Sequence, residues 1–124
     1  MIERLEISGV HFKIEPKLHD YVVKKIGKLD QYMSRHSKKS AHAEVRLKEV
    51  TIRGKKQATC EVVLHLPNEV FDTKETTINM FAAIDIVETK LKTRLKKYKE
   101  VHEHPFKLRR RIMSRLRRKQ SREA

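Results

Sequence analysis

The chain has one cysteine, no tryptophan, three glycines and three prolines among its 124 residues. A single thiol cannot close an internal disulfide, so the fold is expected to hold without an oxidising compartment. No apolar run approaches the roughly 20 residues that a membrane helix needs. The opening MIERLEISGV lacks an apolar core before a small-residue cleavage site, so no secretory signal is expected. These absences make the cytoplasm the expected compartment. Three dispersed glycines exclude a glycine-rich phosphate loop.

Catalytic constellations are missing as well. No serine sits in a nucleophile elbow. The acidic residues are interleaved with Lys and Arg rather than paired. Cys60 alternates onto the apolar side of a strand, where a thiol serves as a small core residue. His102 and His104 flank Glu103 like a chelating triplet, but no second His or Cys cluster completes a metal site. Neither enzymatic activity nor a cofactor nor a metal is expected.

What the chain has in abundance is positive charge. Thirty Lys and Arg face sixteen Asp and Glu, a net +14. Solubility requires far less, so a polyanionic partner is implied. The charge is divided unevenly: residues 104–124 hold nine basic residues and one acidic, and residues 1–103 hold 21 and 15. A modestly basic body, residues 1–103, therefore carries a strongly basic tail, residues 104–124. Apolar residues make up 38% of the chain, enough for one compact core under a charged coat.

Periodicity outlines the body. Leu5, Ile7 and Gly9 alternate with Glu6 and Ser8, a first strand over residues 2–10. Pro16 suits a first helical turn, and Leu18, Val22, Ile26, Leu29 and Met33 form one helical stripe. Residues 34–40, SRHSKKS, read as a polar loop. Two alternating segments, 41–51 and 57–66, flank a turn at Arg53-Gly54-Lys55. A weaker strand over 69–76 has Val70 and Phe71 as its apolar content. A second long helix runs from about Ile78 to Val101, with Met80, Ile84, Val87, Leu91, Leu95 and Tyr98 on its core face. Lys90, Arg94 and Lys97 flank one side of that stripe, and Lys92, Lys96 and Lys99 the other. The expected fold is α+β in the order β-α-β-β-β-α: a four-stranded sheet with two long amphipathic helices packed on one face, followed by the basic tail. In the tail, Leu108, Ile112 and Leu116 recur every four residues, so a mobile segment or a short basic helix is expected.

The nature of the polyanion follows partly by exclusion. No recognition-helix signature for the DNA major groove and no dimerisation heptad is visible, and a monomer is expected. No aromatic pair stands on a strand to stack single-stranded bases. Folded RNA, read by shape and phosphate, fits better. The candidate contacts are Lys24, Lys25 and Lys28 on the first helix and Lys90, Arg94, Lys96, Lys97 and Lys99 on the second. The tail adds Arg109, Arg110, Arg111, Arg115, Arg117 and Arg118, whose planar forks pair phosphates bidentately.

The stretch Asn79-Met80-Phe81-Ala82-Ala83-Ile84-Asp85, with Lys90-Leu91 and Leu95-Lys96-Lys97-Tyr98-Lys99, resembles the signature of the ribosome hibernation promoting factor and ribosome-associated inhibitor A family. The opening Ile7-Ser8-Gly9 and the helix pattern Leu18, Tyr21-Val22, Lys25, Lys28-Leu29, Tyr32 extend the resemblance over about residues 2–99. It implies a translation-silencing factor that binds ribosomal RNA of the small subunit, between head and body. There it would overlap the messenger and transfer-RNA sites, with ribosomal proteins as further contacts. Carried over by position, the implied contacts are Lys25, Lys28, Lys90 and Lys97. Phe81 departs from a frequent Tyr, and Thr93-Arg94 from a common Arg-Gln pair. The chain resembles a short form, without the pairing domain of long members. The alternatives are a non-specific structured-RNA or DNA-binding chaperone, a binder of anionic membranes acting through the tail, and a nuclease.

Overall fold

Strand β1, Arg4–Val10, turns Leu5 and Ile7 inward and Glu6 and Ser8 outward, as the alternation predicts. In this computed structural model, which describes residues 1–102, the chain then folds back sharply. A Cβ at Gly9 would stand 2.1 Å from the Phe12 carbonyl oxygen, so only glycine fits there. Helix α1, Pro16–Gly27, follows with Pro16 in its first turn, and it buries Leu18, Val22 and Ile26. The expected single helix through Met33 is corrected here. After Gly27 the chain tightens into a 3-10 helix, Lys28–Tyr32, which still keeps Leu29 and Met33 buried. A three-residue step from Ile26 to Leu29 suits either geometry, so spacing cannot tell them apart.

The polar stretch expected as a loop is also corrected. It forms helix α2, Arg35–Ser40, in which Ser37 N–H donates to the capping Ser34 hydroxyl at 3.2 Å. Only Ser37 of this helix is buried, so it has no apolar stripe for periodicity to detect.

Strands β2, His42–Ile52, and β3, Lys55–His65, form a hairpin. Its two-residue turn has Arg53 at φ 53° and Gly54 at φ 77°, the left-handed pair that matches the twist of the strands. Strand β4, Val70–Thr77, completes the sheet in the order β1-β2-β3-β4. The β2-β3-β4 meander is antiparallel, and β1 lies parallel to β2. Of the two apolar residues expected to anchor β4, Phe71 is buried and Val70 is 55% exposed. One residue of offset puts them on opposite faces.

Helix α3, Met80–His102, starts at the cap of Asn79, whose Oδ1 accepts from Phe81 N–H at 2.8 Å. Ile78, the expected first residue, lies outside the helix and is 81% exposed. The six expected core residues of α3 are all buried, together with Ala83. They meet Val45, Leu47, Cys60, Val62 and Leu64 from the sheet in one core. Truncating a central member such as Leu91 to Ala would cost about 2–5 kcal/mol.

Connectivity fixes the helix directions. Helix α1 leaves the end of β1 and returns to the start of its parallel neighbour β2. Helix α3 leaves the end of β4, which runs the same way as β2. Both helices therefore start at the hairpin end of the sheet and finish at the opposite end, side by side and parallel.

Candidate nucleic-acid interface

The sheet face away from the helices is charged but nearly balanced. It carries Arg4, Arg46, Lys48, Lys55 and Lys74 against Glu6, Glu44, Glu61 and Asp72. Arg46 pairs with Glu61 at 3.4 Å and Glu44 at 3.6 Å. Such a face creates little net field.

The helical side is different. Parallel helices bring the C-terminal halves of α1 and α3 to one end, where α2 also lies. Residues 24–40 and 89–99 together contain twelve Lys and Arg and one carboxylate, Asp30. Cations in a last helical turn, such as Lys24 and Lys25 of α1, offset the helix dipole by a few tenths of a kcal/mol each. That cannot account for the cations of α2 and of the middle of α3.

The expected contact residues fall into two groups. Lys25 reaches across from α1 to Asp85 at 3.7 Å and Glu88 at 3.6 Å of α3. Lys90 pairs with Glu75 of β4. Arg94 donates to the Asp72 carbonyl at 3.3 Å and lies 5.9 Å from the Phe71 ring centre. Ion pairs this exposed are worth about 0–1 kcal/mol, so a phosphate can exchange for either carboxylate partner. Lys24, Lys28, Lys96, Lys97 and Lys99 have no carboxylate in salt-bridge range among the described residues. The ammonium groups of Lys92 and Lys96 sit 5.2 and 5.7 Å from the Tyr32 ring centre. Lys24, Lys25 and Lys28 line a hollow of about 170 Å³ beside the same tyrosine. Lysines from both helices thus converge on Tyr32. Lys97 stands on the other flank of α3, in a hollow facing β4, as the helical wheel predicts. Arg109, Arg110, Arg111, Arg115, Arg117 and Arg118 lie outside the described residues.

Sequence reasoning missed Arg35, Lys38 and Lys39 as site residues, because α2 has no periodic signal. It also passed over Lys92 and Tyr32. The i, i+4 relation of Lys92 to Lys96 was the available clue.

Between the helices, the Tyr21 hydroxyl donates to Asp85 Oδ1 at 2.5 Å, and Phe81 packs edge-on against the Tyr21 ring at 4.9 Å. The bond to Asp85, with desolvation and the nearby carboxylates, pushes the Tyr21 hydroxyl up to about 12. It stays a neutral donor at ordinary pH. Burial raises the Cys60 thiol to about 12, with Glu61 adding to the rise, so it is not poised as a thiolate. The described residues bring together no three His, Cys, Asp or Glu side chains that could hold a metal ion. Nor do they include a helix long and apolar enough to cross a membrane.

Residues 5–103 match the family described as Sigma 54 modulation protein / S30EA ribosomal protein. The chain belongs to this family. It is 34% identical over 96 residues to the ribosome hibernation promotion factor of Lactococcus lactis subsp. cremoris, covering 77% of this chain and 49% of that protein. The Staphylococcus aureus ribosome hibernation promotion factor is 29% identical over 96 residues, covering 77% of this chain and 48% of the relative. The chain thus spans about half the length of the curated relatives it matches. The Protein Y N-terminal domain of Thermus thermophilus superposes with a TM-score of 0.59 at 31% identity, over 78% of this chain and 97% of the other. A ribosomal subunit interface protein of Coxiella burnetii shares the fold, with a TM-score of 0.62 at 20% identity over 77% and 97%. The family's α+β fold, and not only its second-helix signature, is therefore present.

Proposed function

We propose that this chain is a ribosome-associated hibernation factor that binds ribosomal RNA of the small subunit in the messenger and transfer-RNA channel and blocks translation by occupying it. The observation that carries this reading is the gathering of twelve cations on one end of the helical side, opposite a nearly charge-balanced sheet face. Family membership and the names of the matched relatives support the ribosome as target.

In this reading Lys24, Lys28, Lys92 and Lys96 meet phosphates around the Tyr32 groove, and Arg35, Lys38 and Lys39 of α2 extend the surface. Lys25 and Lys90 exchange carboxylate partners for phosphate on docking. Arg94, Lys97 and Lys99 serve the flank of α3 towards β4 and its C-terminal turns. Counterion release supplies most of the affinity, and the fit of the body to folded RNA supplies the selectivity. The tail, residues 104–124, adds nine basic residues to the same polyanion. Deleting residues 105–124 is expected to weaken binding and flatten its salt dependence.

Co-sedimentation of the protein with separated ribosomal subunits, in the presence of excess unrelated duplex RNA, tests the proposal. Saturable one-to-one uptake by the small subunit supports it. Equal uptake by both subunits, or loss to the competitor, would favour a non-specific RNA- or DNA-binding chaperone.

A further inference from the structure

At the end of the sheet where α3 finishes, a hollow of about 480 Å³ opens between α3 and the start of β4. Its walls are Val70 and Phe71 of β4 and Arg94, Lys97, Tyr98 and Val101 of α3, and Glu69 also borders it. The Phe71 and Tyr98 rings meet edge to face, 6.1 Å apart, and form a nearly buried floor. Val101 is 37% exposed, so the lining is apolar towards solvent as well.

Arg94 decides what such a hollow suits. Its guanidinium is anchored twice, by the hydrogen bond to the Asp72 carbonyl and by its place over the Phe71 ring. A guanidinium held in this way presents an oriented flat face, not a loose charge. Lys97, one turn further on, adds a point charge on the same rim. A planar, weakly polar group with an attached anion matches a flat cation, an apolar floor and a second ammonium. A fully paired helix offers phosphates to this rim but cannot place a base in the hollow. An unpaired nucleotide offers both.

We infer that this hollow receives one unpaired nucleotide of the bound RNA, its base seated against Arg94 and Val101 and its phosphate held by Lys97. The inference rests on the RNA-binding reading above and deepens it. The body then reads more than backbone shape: it prefers RNA in which a base is free to leave the stack.

The test compares binding of the full chain, at one salt concentration, to two RNA duplexes that differ by a single bulged adenosine. The expected result is about tenfold tighter binding to the bulged duplex, the scale of one stacked base. Arg94→Lys keeps the charge and removes the plane, and should bring the ratio of the two affinities close to one. Val101→Trp, at a partly exposed helix position on the rim, fills the hollow and should do the same. Equal affinities for the two duplexes in the unaltered chain would overturn the inference and leave RNA binding intact. So would a preference that survives both substitutions. Failure to bind either duplex would overturn the RNA-binding reading itself.

Discussion

Tyr21 and Asp85, 64 residues apart in sequence, are joined by a 2.5 Å hydrogen bond that ties α1 to α3 at the edge of the core. Lys25 closes the same junction from α1 by reaching Asp85 and Glu88. The junction joins the two basic helices whose lysines converge on Tyr32. Folding favours the protonated phenol, because its hydrogen bond to Asp85 raises the Tyr21 hydroxyl from 10.0 to about 12. The stabilisation is complete below pH 10 and is lost as the pH rises towards 12. Tyr21→Phe should lower stability at pH 7 by about 1 kcal/mol. It should also shrink the alkaline loss, which Cys60, raised to about 12 by burial, shares with the same sign. Thermal unfolding at pH 7 and at high pH checks both parts, and an unchanged alkaline limb would rule out this bond as its source.

Thr73 faces the core from β4, and its buried hydroxyl has no hydrogen-bond partner among the described residues. An unsatisfied buried hydroxyl costs about 1–3 kcal/mol. Thr73→Val keeps the shape and removes that cost, so it should raise stability by about 1 kcal/mol in a denaturant titration. A destabilised variant would mean that the hydroxyl is satisfied in solution.

Two glycines should respond to alanine in different degrees. At Gly9 the new Cβ would meet the Phe12 carbonyl oxygen at 2.1 Å, and backbone must move. At Gly54 the Cβ meets nothing within 4 Å, but φ is +77°. Gly54→Ala should cost about 1–2 kcal/mol, the penalty of a left-handed residue. Gly9→Ala should cost more, about 3 kcal/mol. The reverse order in urea midpoints would contradict the tight return of the chain after β1.

Strong periodic signals made most of the fold legible. The α3 stripe from Met80 to Tyr98 and the alternation of β2 and β3 are written directly in apolar spacing, and each expected core residue there is buried. What failed lacked such a signal. Helix α2 is held by one serine cap and has a polar exterior, so residues 34–40 look like any loop. The end of α1 is blurred because a 3-10 turn continues the same stripe. The candidate site was legible as charge but not as grouping. Helical spacing separates Lys92 and Lys96 from Lys90, but nothing in the sequence shows that the first two rest on Tyr32 and the third pairs with Glu75. That division depends on which flank of α3 meets the 3-10 turn and which meets β4.

In the proposed function the groove between the helices, not the open sheet face, binds the ribosome. The direct measurement is the salt dependence of binding to isolated small subunits for two multiple variants. One carries Gln at Lys24, Lys28, Lys92 and Lys96, and the other carries Gln at Lys48 and Lys74 on the open face. The groove variant should bind more weakly, with a log–log salt slope shallower by roughly one unit per lysine, and the open-face variant should match the unaltered chain. Equal losses in the two variants, or an unchanged slope in the groove variant, would contradict the proposed function.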